Sequence, residues 1–546
     1  MKLRKWAALA MAVVLCAGLL AACGGTPEPA STPAGSEPAS VPVTTGDDGR
    51  EMVGNMYVEG FPIVKEPVTY KILVCNDGDP NTMPFYEKYA ELTNVNIEWE
   101  FYDYDTTVEK KNLMYTTGEY FDGVGTWCLG DADILTYADD VWVALDGMIE
   151  QYAPNIKYAF DNFPNAWGTM TTPNGHVYGL PIMAKQPDCG WIMHINQKWL
   201  DNLDLEMPET LEDFENVLRA FKEQDANGNG DAGDEIPFSF YDTGANNIYG
   251  NMFGAWGVLA GQSNQLMLRD GEVLFAPAEE GYKEGVKWLN KLYAEGLIDP
   301  EAFTQDSINY QTRGQSGDDS VYGVFIDFTG VNVVGEQRYV DEYISLAPLA
   351  GPDGTRMWGQ GDPSIFRNMF AISTAAENPE ILLRWLDGLF DPEMSYQVTN
   401  GELGEWTEKG DDGVYRYKPF PEGMTESEVR NKYCVSAMPY CIMPDFPMEQ
   451  NSNQVIKTEA DKRVSPYITD EPFPSVWRTP EQNERLSVIS ADLLKLAADK
   501  RVAWITGQAN IDAEWDNYLA DLGKIGLEDY ASIYQEAVDA YFANIS

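Results

Sequence analysis

Histidine is almost missing from this 546-residue chain, which carries His176 and His194 and no others. Imidazole-based metal and acid–base chemistry has little to work with, and no His-Glu-x-x-His, Gly-x-Ser-x-Gly or Gly-x-x-x-x-Gly-Lys-Ser/Thr pattern is present. Positive charge is scarce as well. Against 87 Asp and Glu stand 37 Lys and Arg, a net charge of −50. Nucleic acid, whose phosphates need clustered Lys and Arg, is therefore not expected as a partner, and an acidic sugar is disfavoured as a ligand. No apolar run after Leu20 is long enough to cross a membrane. Cysteine never takes the Cys-x-x-Cys spacing of a metal or redox site.

What is present at the start is a basic cluster, Lys2, Arg4 and Lys5, followed by an apolar segment from Trp6 to Leu20 and small residues before Cys23. This is the layout of a secretory signal peptide, and the segment is shorter than the roughly 20 apolar residues of a membrane span. The motif Leu20-Ala-Ala-Cys23 resembles the bacterial lipobox, which implies a signal peptide over 1–22 and a diacylglyceryl group on Cys23. Two acyl chains, at about 0.8 kcal/mol per buried CH₂, hold a protein durably on a bilayer. The chain is thus expected at the cell membrane, lipid-anchored on the extracellular face. Residues 23–56 are mostly Gly, Pro, Ser, Thr and Ala and read as a disordered, proline-stiffened tether. With Cys16 removed and Cys23 lipidated, Cys75, Cys128, Cys189, Cys434 and Cys441 remain, an odd set expected as buried free thiols. Cys434 and Cys441 are close enough in sequence to pair, though spacing alone does not establish the geometry.

Residues 57–546 are too many for one core and are expected to form two lobes. Thr69–Cys75 reads as a strand ended by Asn76-Asp77-Gly78, Pro84–Leu92 as a helix, and Val95–Phe101 as a second strand. A helix over Val108–Thr116 and a strand over Phe121–Trp127 repeat the unit. Alternating elements predict an α/β lobe with a parallel sheet, whose ligand sits beyond the carboxyl ends of the strands, near Asp77 and Trp127. Further on, Ala144–Asn155, Asn174–Pro181, Ile195–Asp201 with Pro208–Phe214, and Asn378-Pro-Glu380 with Trp385-Leu-Asp387 follow in order. These blocks resemble the extracellular solute-binding proteins of ABC importers, nearest the large members that take oligosaccharides. The resemblance implies a two-lobed periplasmic-binding-protein type II fold with an interlobe cleft and a hinge. It also implies a carbohydrate ligand, a permease partner and no catalysis. Lobe 1 is expected over about 57–180 plus part of 361–440, and lobe 2 over about 181–360 plus the C-terminal helices. A monomer is expected. Gly175 and Pro181 bracket Val177–Leu180, read as a crossing between lobes.

Thr210, three residues before Asp213, starts a helix to about Gln224. It leads into Asp225-Ala-Asn-Gly-Asn-Gly-Asp-Ala-Gly-Asp-Glu-Ile236, where oxygen-bearing side chains alternate and Gly230 falls where an EF-hand turns sharply. The twelfth position is Ile236 in place of glutamate, so the pattern is half an EF-hand. It resembles the structural calcium loop of the oligosaccharide-binding members. Ca²⁺ is expected on Asp225, Asn227, Asn229, Asp231 through its carbonyl, Asp234 and Glu235; the other reading is a metal-free Asn/Gly turn.

The sequence holds 15 Trp and 30 Tyr, and sugar sites pair aromatic platforms with polar side chains. Trp127, Trp191, Trp256 and Trp358, each beside glycine or in a predicted loop, are candidate platforms, and Asp327 follows a strand and is a candidate cleft acid. Each is equally the kind of residue that a core buries or a turn uses. A secreted glycoside hydrolase, needing only a carboxylate pair, and a glycan-binding adhesin are the alternatives.

Overall fold

The computed structural model describes residues 43–545 apart from 47, 139, 243–247, 362–363, 422–423, 425 and 451; the signal segment, Cys23 and the tether up to 42 lie outside the described residues. Two sheets organise the chain. Their strands, in chain order, are β1 Val68–Cys75, β2 Val95–Tyr102, β3 Gly123–Gly125, β4 Gly179–Ala184, β5 Ile192–Asn196, β6 Ile236–Ser239, β7 Tyr322–Asp327, β8 Tyr343–Ser345, β9 Ile365–Ile372 and β10 Tyr440–Ile442. The first sheet runs β10-β4-β9-β3-β1-β2 and the second β8-β5-β7-β6. As predicted, β1 pairs in parallel with β2 and β3. Successive residues of β1 serve opposite faces: Tyr70, Ile72 and Val74 join the cluster that includes Trp99 and Trp385, while Leu73 joins the one around Trp142 and Val124. Helices therefore cover both sides of this sheet.

The third strand is shorter than the predicted Phe121–Trp127. Thr126 and Trp127 take φ +59° and +48° and end it in a turn. A β-branched residue there is strained, and the turn holds because Thr126 N–H donates to the Met369 carbonyl at 2.7 Å and its hydroxyl ties both polar groups of the Cys75 backbone. The helix Leu211–Glu223 forms as its cap predicts: the Thr210 hydroxyl accepts from Asp213 N–H at 3.1 Å, and the Asp213 carboxylate accepts from Thr210 N–H at 3.1 Å. Its Leu211, Phe214, Val217, Leu218 and Phe221 enter the second core with the spacing of one helical face.

The chain passes between the sheets three times, through 185–191, 346–364 and the segment after β10. Val177–Leu180 does not cross: β4 continues in the first sheet to Ala184, since its backbone pairs with both β9 and β10. The helices Pro480–Ile505, Ile511–Ile525 and Leu527–Ile545 pack into the second core. Cys75, Cys128, Cys189, Cys434 and Cys441 all carry free thiols.

Candidate functional site

Between the two sheets lies a cavity of about 1190 Å³. Its first-lobe wall is built by an irregularity in β9, where the register with β4 shifts between Phe366 and Phe370 and Asn368 takes φ +60°. Such a bulge re-aims side chains. Arg367 turns into the cavity, bound to the Asp131 carboxylate, while Asn368 donates to the other Asp131 oxygen at 2.9 Å. Arg367 also stacks 4.2 Å from the Trp477 ring and donates to the Ser475 carbonyl at 3.0 Å. Burial pulls its guanidinium below the ordinary value against the opposing pull of Asp131, and the nearby Arg478 charge acts in the same direction as burial.

The opposite wall comes from the second lobe and the C-terminal helices, including Asn251, Phe328, Phe473, Tyr534 and Tyr541. Charges around the cavity are mixed: Asp131, Asp470 and Glu471 face Lys185, Arg367 and Arg478. Lys185 lies 3.3 Å from Asp188, and Glu471 accepts from the Asp270 and Gly271 N–H groups at 2.8 and 3.0 Å. The wall is amphipathic, with no excess of cations for an anionic ligand.

The five predicted contacts are placed differently from one another. Trp191 lines the cavity, half-buried, edge-on to Tyr241. Trp127 stands 50% exposed on the strained turn, edge-on to Phe366, which is flanked by the cavity residues Ile365 and Arg367. Trp256 packs in the second core against Trp288, away from the cavity. Trp358 is 2% exposed and ties the crossings together: its indole N–H donates to the Trp191 carbonyl at 3.1 Å, and its backbone pairs with Tyr467 and Thr469. Asp327 lies under the cavity wall and caps a turn, accepting from Thr329 N–H at 3.3 Å and the Asn332 amide at 3.1 Å. Its second oxygen is buried without a partner among the described residues, and burial raises the carboxyl to about 6 despite Lys457 nearby. Arg367, Arg478 and Asn251 were not anticipated. An Arg-Asn pair interrupting the apolar run Ile365–Ile372 was the available signal for the first.

The 225–236 loop folds back on itself. Asp225 accepts from Gly228 and Gly230 N–H, both at 2.9 Å, and those glycines take φ +78° and +96°, which lets the backbone amides turn inward. Asn227 and Asn229 donate to Asp234 at 3.0 and 2.8 Å, and Asp231 accepts from Gly233 N–H at 3.1 Å. Glu235 accepts from Ala226 N–H at 2.9 Å, while its other oxygen is buried with no partner among the described residues. Burial raises this carboxyl above its usual range. Among the described residues no three His, Cys, Asp or Glu converge as a preformed metal cage. The donor set is nonetheless all oxygen once the two amides rotate, and the orphaned Glu235 oxygen lacks a positive partner; both fit a hard cation.

A two-lobed α/β molecule with a large amphipathic cleft at the crossings is the architecture of a solute receptor. No family model matches the chain. It is 32% identical over 508 residues to the fructooligosaccharide ABC transporter substrate-binding protein FusA of Streptococcus pneumoniae, covering 89% of this chain and 92% of that one. The chain belongs to the substrate-binding proteins of ABC transporters. Solved structures of FusA with kestose, and of a FusA EF-hand mutant with fructo-nystose, each align with TM-score 0.75 and 30% identity over 87% of this chain and 100% of theirs. An extracellular solute-binding protein from Bifidobacterium longum subsp. infantis aligns with TM-score 0.79 at 23% identity over 91% of this chain and all of its own. The lipoprotein LipO of Bacillus subtilis is 30% identical over 264 residues, 44% of this chain and 48% of LipO. FusA and the Bifidobacterium protein are binding proteins.

Proposed function

We propose that the protein captures a carbohydrate, in size an oligosaccharide, between its lobes and presents it unaltered to an ABC permease. The observation that carries this reading is the cleft. At about 1190 Å³ it exceeds the roughly 300–1,000 Å³ of small-molecule sites, and its wall mixes aromatic rings with hydrogen-bonding groups, as a sugar's apolar faces and hydroxyl rim require. The kinship with a fructooligosaccharide receptor supports the ligand class. Trp191 is the platform inside the cleft and Trp127 the one beside its wall. Lobe 1 covers residues 57–184 and 365–442, whose helix Pro379–Leu389 packs on the first sheet, lobe 2 covers 192–345 with the C-terminal helices, and the three crossings are the hinge. The ligand selects the closed form because only there does it touch both lobes.

In this reading the protein is moored through acylated Cys23 on the outer face of the cell membrane; the lipoprotein relative supports the mooring. A Ca²⁺ ion held by Asp225, Asn227, Asn229, Asp231, Asp234 and Glu235 braces the helix–strand corner and takes no part in ligand chemistry. Thermal-shift titration with kestose, nystose and maltotriose, followed by product analysis, tests the proposal. At a hundred times Kd a native-state ligand contributes about 2.7 kcal/mol, so a binding sugar raises the melting temperature measurably and is recovered intact. A cleaved sugar, or no response to any, refutes the reading.

A further inference from the structure

Two polar side chains in the cavity wall carry hydrogen-bonding groups that the protein itself leaves unused. Asn251, on the helical turn Gly250–Trp256, is 9% exposed, and its amide has no hydrogen-bond partner among the described residues. It is wedged between two backbones. A Cβ added at either Gly261 or Gly359 would fall 2.6 Å from its Oδ1, so glycine at both positions is what makes room, and the packed amide has no space to swing toward an internal partner. Both amide atoms stay open to the cavity, so water serves them until a ligand arrives. A held amide of this kind at the wall of a cleft is completed by a ligand that takes the water's place.

Arg478 is the second. Its Nε donates to Asn483 Oδ1 at 3.0 Å, the Asn483 amide donates back to the Arg478 carbonyl at 3.2 Å, and the guanidinium lies 5.1 Å from the Tyr534 ring centre. These contacts fix the plane of the group while both terminal nitrogens lack a partner among the described residues. Arg367, the other cavity arginine, by contrast has both terminal nitrogens engaged, by Asp131, Ser475 and Val476. A planar, oriented fork of N–H donors matches a pair of adjacent oxygens.

We propose that Asn251 and Arg478 are the residues that select the ligand, Asn251 reading a hydroxyl as donor and acceptor together and Arg478 gripping two neighbouring oxygens. The inference deepens the sugar-binding reading above and rests on it. The oxygen pair belongs to a vicinal diol of a neutral sugar or to the carboxylate of a uronate, and the two sources are separable by salt.

Isothermal titration of the purified protein with kestose, nystose and trigalacturonate, at low and high salt, is the test. For every sugar that the wild type binds, Asn251→Ala and Arg478→Ala each lower affinity at least tenfold, while the melting temperature without sugar stays within about two degrees. Arg478→Lys recovers only part of the loss, because an ammonium lacks the planar fork. Should Asn251→Ala fail to fold, Asn251→Asp keeps the shape, removes the donor and shows the same loss. A trigalacturonate affinity that falls with salt in the wild type, and not in Arg478→Ala, identifies a carboxylate; a salt-independent loss on kestose or nystose identifies a diol. Affinities within twofold of wild type in both alanine variants overturn the inference and leave the sugar reading standing. A wild type that binds none of these three sugars, nor maltotriose, overturns both.

Discussion

Asp327 closes the fully buried strand β7, so its carboxyl lies beneath the cavity wall and caps a turn. Burial raises it to about 6, so ionising it at neutral pH opposes folding. The sign follows directly: a raised carboxyl penalises the folded state above its folded value and not below its unfolded one, so this contribution improves as pH falls from about 7 toward 4. Asp327→Asn keeps the accepting oxygen and removes the charge. It is expected to raise stability at pH 7 by on the order of 2 kcal/mol and to flatten the pH 4–7 melting profile, which differential scanning calorimetry can follow. Trp191, Trp256 and Trp358 all sit next to glycine, yet one lines the cleft and two are packed inside, because neighbouring residues in sequence do not reveal which crossing or core will close over a ring. Arg478 and Asn251 were illegible for the same reason: what sets them apart is a missing partner, which only the assembled fold displays.

At the scale of elements the sequence spoke more clearly. The parallel β1, β2 and β3 and the capped helix from Leu211 form where periodicity and turn chemistry put them. These are local signals, and the structure obeys them. The departure at Thr126 and Trp127 comes from long-range bonds to Cys75 and Met369 that no local pattern encodes. Thr210→Ala, which removes one half of the capping box, is expected to cost about 1 kcal/mol in urea unfolding with an unchanged m-value. For the 225–236 loop, a chelator is expected to lower the melting temperature by a few degrees, and Asp225→Ala is expected to abolish that response while lowering the starting value. Identical melting with and without chelator would remove calcium from the account.

Over the whole molecule, the two-lobed class was readable from length, alternation and the ordered family blocks, whereas the cleft wall was not. That wall draws on Asp131, Asn251, Arg367 and Tyr534, positions from across the chain. The crossings meet at residues 188–190. Asp461 accepts from the Asp188 and Cys189 N–H groups at 3.0 and 3.2 Å and from the Cys189 thiol at 2.6 Å, Lys457 donates to the Gly190 carbonyl, and Gly361 N–H donates to the Asp188 carbonyl at 3.0 Å. Asp461→Ala strands these donors and is expected to destabilise the protein by about 2 kcal/mol. Small-angle scattering of the wild type is expected to show a smaller radius of gyration with sugar, and of this variant a weaker dependence on it.

The Cys189 thiol in that knot is fully buried, bonded to Asp461, and pushed up to about 12, mainly by burial. It is thus inert to alkylating reagents until the knot loosens. The chain thereby carries its own stopwatch: the rate at which iodoacetamide marks the Cys189 peptide, read by mass spectrometry, times the parting of the two halves without any dye or engineered label.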